Sequence, residues 1–107
     1  MKKNDLDSDK HNILRKLDKN PETSQRELAA ELNISLGKLN YCLKELKKKG
    51  LLKIQNFKKN ERKLNYLYII TPKGIAEKTR LTIRFMKQKM KEYDELKQEV
   101  KKSNDNS

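Results

Sequence analysis

Residues 35–50 read Ser-Leu-Gly-Lys-Leu-Asn-Tyr-Cys-Leu-Lys-Glu-Leu-Lys-Lys-Lys-Gly, and the rest of the chain is organised around them. Leu36, Leu39, Leu43 and Leu46 recur at three- and four-residue steps, which predicts a helix with one apolar stripe. Gly37, Tyr41, Lys44 and Lys48 project from the opposite side, so one face is core and the other is free to touch a partner. Ser35 suits an N-cap and Gly50 the C′ position, and Lys47, Lys48 and Lys49 fill the last turn, where the helix dipole favours positive charge.

At 107 residues the chain is expected to be one domain with room for an appendage. A hydrophobic fraction of 34% supports only a small core and points to reliance on a partner, most simply a second copy. Charged residues make up 39% and the formal net charge is +12, which makes a polyanion the expected class of partner. Residues 35–63 hold ten Lys or Arg against two Glu, so +8 of that charge sits on this segment. A single cysteine, Cys42, excludes an internal disulfide and a cysteine zinc site. The N-terminus lacks the apolar run of a signal peptide and no stretch of 18 apolar residues occurs, so a cytoplasmic protein without membrane contact is expected.

Taken in order, residues 1–7 are polar and read as a flexible tail. A first helix starts at Ser8 or Asp9, buries Ile13, Leu14 and Leu17, and ends near Asn20-Pro21, because the residue before proline is pushed out of the helical region. Ser24-Gln25-Arg26-Glu27 matches a capping box and opens a second helix with Leu28, Ala29 and Leu32 on its buried face. Asn33-Ile34-Ser35 is then a tight corner, in which Asn33 tolerates the left-handed conformation and Ile34 plugs the angle between helices. After Gly50 the apolar stretches 51–57 and 66–71 predict two strands joined by a long basic tip. Tyr66, Tyr68 and Ile70 face one way and Leu67 and Ile69 the other, so the second strand is expected to be covered on both sides.

Thr71-Pro72 is a helix start, and no later proline stops the helix before about residue 102, roughly 46 Å on. That exceeds what so small a domain covers. Ile83, Met86, Met90, Tyr93 and Val100 are spaced 3, 4, 3 and 7, approximating a coiled-coil seam with Leu96 one residue out of register. Self-association through this helix is expected. The expected fold is mainly α with a small β-hairpin, a winged helix-turn-helix over residues 8–74 followed by a long dimerisation helix over 75–102, with a second tail at 103–107.

Four pieces, Ser24-Gln25-Arg26-Glu27-Leu28-Ala29, Leu32-Asn33-Ile34-Ser35, residues 43–52 and Ile69-Ile70-Thr71-Pro72-Lys73-Gly74, in this order and spacing, resemble the MarR-type family of bacterial transcription regulators. The short length and single C-terminal helix look most like the small members associated with exopolysaccharide gene clusters. The usual Asp-x-Arg of the family's wing is here Asn60-Glu61-Arg62, so the aspartate that orients the arginine is missing. The family's extended terminal helices, which build its dimer and often a ligand pocket, are reduced to one, and a small-molecule effector is therefore doubtful.

The resemblance implies that the third helix enters the major groove, with the first turns of helices two and three near phosphates and the wing beside the minor groove. Leu36, Gly37, Lys38, Asn40 and Tyr41 are the candidates for base readout: Asn40 for adenine, Lys38 for guanine, Tyr41 for a thymine methyl or a phosphate. Ser24, Gln25, Ser35, Lys44 and Lys48 are the phosphate candidates, and Lys58, Lys59, Arg62 and Lys63 those of the wing. Ile83, Met86, Met90, Tyr93, Leu96 and Val100 form the dimer seam. Cys42, beside the apolar stripe, reads as packing, and His11, alone on the first helix, as a surface residue. One His, one Cys and no phosphate-binding glycine loop argue against an enzyme, a metal or a cofactor. The competing readings are a non-specific nucleic-acid binder using the same basic face, and a winged-helix adaptor that binds protein.

Overall fold

The computed structural model describes residues 3–60 and 63–105. In chain order the elements are α1 (Lys3–Lys19), β1 (Glu22–Thr23), α2 (Gln25–Leu32), α3 (Leu36–Lys48), β2 (Leu52–Asn60), β3 (Lys63–Ile70) and α4 (Pro72–Asp105). The architecture is the expected one, a winged helix-turn-helix followed by a long helix.

α1 begins at Lys3 rather than at Ser8 or Asp9. Residues 3–7 are thus helix and not a tail. Leu6 packs against the core, and the Asp7 carboxylate accepts a hydrogen bond from Arg84 Nη2 at 3.1 Å, which gives the first turns tertiary partners. α2 opens with the Glu27 N–H donating to Ser24 Oγ at 3.1 Å. It closes at Asn33, whose φ of 55° is left-handed; Asn33 N–H donates to Ala30 O and Ile34 N–H to Ala29 O, satisfying two end carbonyls. α3 repeats the device. Gly50, at φ +73°, donates to Lys47 O and Leu51 to Leu46 O, so the helix ends where the glycine permits a left-handed residue.

Ile13, Leu14 and Leu17 of α1, Leu28 and Ala29 of α2, Leu39, Cys42, Leu43 and Leu46 of α3, and Leu51, Leu52 and Tyr68 make one core. Burial of each of these leucines contributes about 1.5–3 kcal/mol. Leu36 departs from the predicted stripe: it lies in the first turn of α3 and is 41% exposed, and Cys42 completes the buried face instead.

The sheet has three antiparallel strands in the order β1-β3-β2. β1 escaped the sequence reading because two residues carry no periodicity; Glu22 pairs with Leu67, Thr23 with Tyr66, and Tyr68 N–H donates to Pro21 O. β2 and β3 pair from Leu52↔Ile70 out to Asn60↔Lys63, with a register shift between Lys58 and Asn60. Much of the predicted tip is therefore paired strand. Ladder bonds use the backbone alone, so a polar stretch extends a ribbon that has no core to face. Of the two faces of β3, Tyr68 is buried inside, but Ile69 is 39% exposed, so the cover expected on its second side is missing among the described residues.

α4 is locked at its start. Gly74 N–H donates to Thr71 Oγ1, which itself donates to Gly50 O at 2.7 Å, and a Cβ on Gly74 would lie 2.1 Å from Leu51 O. Further along, Leu81 is buried and Lys78 pairs with Asp18 of α1. His11 corrects its reading as a surface residue: it is 7% exposed, 2.7 Å from Thr82 Oγ1, and stacked 5.2 Å from the Phe85 ring. The Thr82 hydroxyl proton goes to Lys78 O, so His11 Nε2 is the donor to Thr82. Only the fold brings α4 to that face of α1. The 34 residues of α4 extend about 51 Å at 1.5 Å each, and the molecule measures 68 × 27 × 26 Å because the distal half projects from the domain.

Candidate nucleic-acid interface

With Leu39, Cys42, Leu43 and Leu46 turned inward, α3 leaves Gly37, Tyr41, Lys44 and Lys48 exposed along one face, with Asn40 half-buried beside them. Tyr41 is 48% and Leu36 41% exposed, large apolar surfaces left next to cations and an amide. Such a surface can donate and accept hydrogen bonds in the plane of a base edge and cover a methyl group. Lys38, half-buried like Asn40, lies at the edge of this surface. Its Nζ lies 2.7 Å from Asp9 Oδ2 of α1, on the flank of the helix. Asp9 had no signal in the sequence, because its partner lies 29 positions on.

Ser35 accepts from Lys38 N–H at 3.1 Å and Ser24 from Glu27 N–H, so both hydroxyls cap helices while keeping a proton for an outside acceptor. Gln25 is half-buried beside Ser24, and Lys44 and Lys48 are exposed. The wing ribbon carries Lys58, which is exposed; Arg62 lies outside the described residues, as do the side chains of Lys59 and Lys63. Cys42 is fully buried, and burial, with the Asp9 carboxylate adding to it, pushes its thiol pKa up, the reverse of a reactive cysteine. Residues 7–53, which hold most of α1, all of α2 and α3 and the start of β2, match the model of a family described as winged helix-turn-helix DNA-binding.

Over these residues the chain is similar to winged helix-turn-helix DNA-binding domains. Its fold, with the long α4, is that of the MarR-family regulators. The zinc-responsive MarR family member ZitR of Lactococcus lactis is 25% identical with a TM-score of 0.62, over 83% of this chain and 59% of that one. The PcaV transcriptional regulator of Streptomyces coelicolor is 17% identical with a TM-score of 0.65, over 94% of this chain and 80% of that one. The transcriptional repressor CouR, bound to a 23-mer DNA duplex, is 28% identical with a TM-score of 0.57, over 67% of this chain and 49% of that one. The winged-helix chain thus spans about half to four-fifths of these relatives. No curated protein matches its sequence significantly.

Outside the α3 face, a 460 Å³ cleft between α1, the end of α3 and α4 is lined by Lys10, Lys49, Lys73, Arg80 and Arg84 against Asp7 and Glu77. Arg80 pairs with Glu77 and Arg84 with Asp7, so the surplus charge of this cleft rests on the lysines. Among the described residues no three His, Cys, Asp or Glu side chains meet to hold a metal ion, and no helix is long and apolar enough to cross a membrane.

Proposed function

We propose that the chain is a sequence-specific, double-stranded DNA-binding transcription regulator that acts in the cytoplasm as a homodimer. The observation that carries this reading is the two-sided α3, buried by its leucines on one side and open on the other through Leu36, Gly37, Asn40, Tyr41, Lys44 and Lys48. In this reading Leu36, Lys38, Asn40 and Tyr41 face base edges, Gly37 lets the backbone approach the groove, and Lys44, Lys48, Ser24, Gln25 and Ser35 hold phosphates. The wing, through Lys58, Lys59, Arg62 and Lys63, lies beside the minor groove, where arginine is favoured. The DNA duplex bound by CouR supports the same partner class here.

Dimerisation is supported by α4, on which Ile83, Met86, Met90, Tyr93, Leu96 and Val100 are 43–66% exposed, an apolar face without a partner in a single copy. Exopolysaccharide genes are the proposed targets, on the resemblance of the short chain to regulators of such clusters. Alanine substitution of Asn40 tests the base-reading part. Measured as competition between the operator and scrambled DNA, Asn40→Ala is expected to lose about 1–3 kcal/mol of preference for the operator. An unchanged preference would remove α3 from base readout and favour a non-specific binder.

A further inference from the structure

The ammonium of Lys38 is held from another helix. Asp9 lies one helical turn before the buried Ile13 on α1, which turns its short side chain toward α3, and its Oδ2 stands 2.7 Å from Lys38 Nζ. The pair is partly dry, with 15% of the Asp9 side chain and 28% of the Lys38 side chain exposed. Removing one partner of such a pair leaves the other charge uncompensated, so the carboxylate keeps hold of the lysine. α1 is itself fixed by Ile13, Leu14 and Leu17 in the core and by the contact of Asp7 with Arg84. Cys42, one turn after Lys38, senses the same cluster: besides burial, Asp9 pushes its thiol pKa up, Lys10 and Lys38 pull it down, and Glu45 pushes it up. Two carboxylates and two ammonium groups thus balance on this flank of α3, whereas Lys44 and Lys48 stand exposed on the outer face.

We propose, on the reading of α3 as the DNA-reading helix, that Asp9 is a positioning residue for sequence choice: it anchors Lys38 at the edge of the α3 face and offsets its charge. A mobile lysine swings on a flexible stem and adds to the attraction for any phosphate. An anchored one presents its N–H donors from a fixed point, which suits the O6 and N7 acceptors of a guanine edge. Tyr41, three residues on, is the neighbour of Lys38 on the helix surface, so these donors stand beside the tyrosine. Asp9 thereby lowers affinity for DNA in general and raises preference for one sequence.

The test is DNA binding by the full-length chain. Log affinity for a scrambled duplex is followed against log salt, and preference is measured against a duplex that the native chain selects from genomic DNA. Asp9→Asn, which keeps the shape and removes the charge, is expected to steepen the salt slope by about one unit, the signature of a new phosphate contact, and to lower the preference roughly tenfold. Adding Lys38→Met to Asp9→Asn is expected to return the slope to the native value with the preference still lost. This double variant has no charge left unpaired between α1 and α3, so it keeps the proposal testable where the single variant fails to fold. Asp18→Asn makes the same charge change at the pair with Lys78 on the opposite side of α1 and is expected to leave the slope alone. An unchanged slope in Asp9→Asn, an equal rise in Asp18→Asn, or a slope below the native one in the double variant would overturn the role of Asp9 and leave DNA binding standing. A native chain that selects no duplex would overturn the reading of α3 as well.

Discussion

At the scale of single residues, two positions separate packing from function. Gly37 and Gly74 both open helices, but a Cβ at Gly74 would strike Leu51 O at 2.1 Å and Ile70 Cγ2 at 2.7 Å, while Gly37 has nothing within 4 Å. Gly74→Ala is therefore expected to destabilise by about 1–3 kcal/mol in denaturant titration, since the backbone carbonyl has nowhere to go. Gly37→Ala is expected to stabilise by about 0.5–1 kcal/mol, the helix-interior penalty of glycine being removed, and to weaken DNA binding by crowding the groove. Stabilisation without any loss of affinity would mean that no close approach to DNA occurs there.

His11 gives a second prediction. Burial, then the charges of Arg15 and Lys78, lower its pKa below the usual value near 6.5, so the unfolded chain takes up a proton before the folded one does. The stability His11 confers is complete above pH 6.5 and is lost as the pH falls through that value toward the folded-state pKa. Thermal melts from pH 7.5 to 5 are expected to show a larger fall for the native chain than for His11→Phe; parallel curves would contradict it.

At the scale of elements, the wing is the least independent part of the site. If it tracks a phosphate, the double substitution Arg62→Ala and Lys63→Ala is expected to reduce the slope of log affinity against log salt by about one unit per lost contact. An unchanged slope would take the wing off the DNA.

Legibility also divides by element. α3 was readable because its leucine period, its Ser35 cap and its Gly50 stop are local, and the Asn33 corner and Thr71 start were readable for the same reason. What local patterns cannot carry was missed. The pairing of β1 with β3, the extension of α1 back to Lys3, and the burial of His11 all depend on partners distant in sequence. The ion pair of Lys38 with Asp9 of α1 was likewise invisible in the sequence, because the partners are far apart along the chain.

At the scale of the whole molecule, charge and shape act together. The net charge of +12 draws a small domain to any polyanion, but charge alone confers no choice among sequences. In the proposed reading, choice rests on the uncharged groups on α3, Asn40 and Tyr41, being held rigidly at the surface. The core formed by α1, α2 and the sheet does that, and α4, anchored at Thr71 and Gly74, carries the domain on a rod long enough to reach a second copy.

The central claim is tested most directly by binding of the purified chain to its own upstream DNA and to a scrambled duplex of equal length, at about 150 mM salt, with mass measured in the same buffer. A preference of about a thousandfold or more for the native sequence, by a dimer, is the result expected of a sequence-specific regulator. Equal affinity for native, scrambled and genome-selected duplexes would contradict base readout by α3. Binding to none of them would leave the winged helix as a surface for protein.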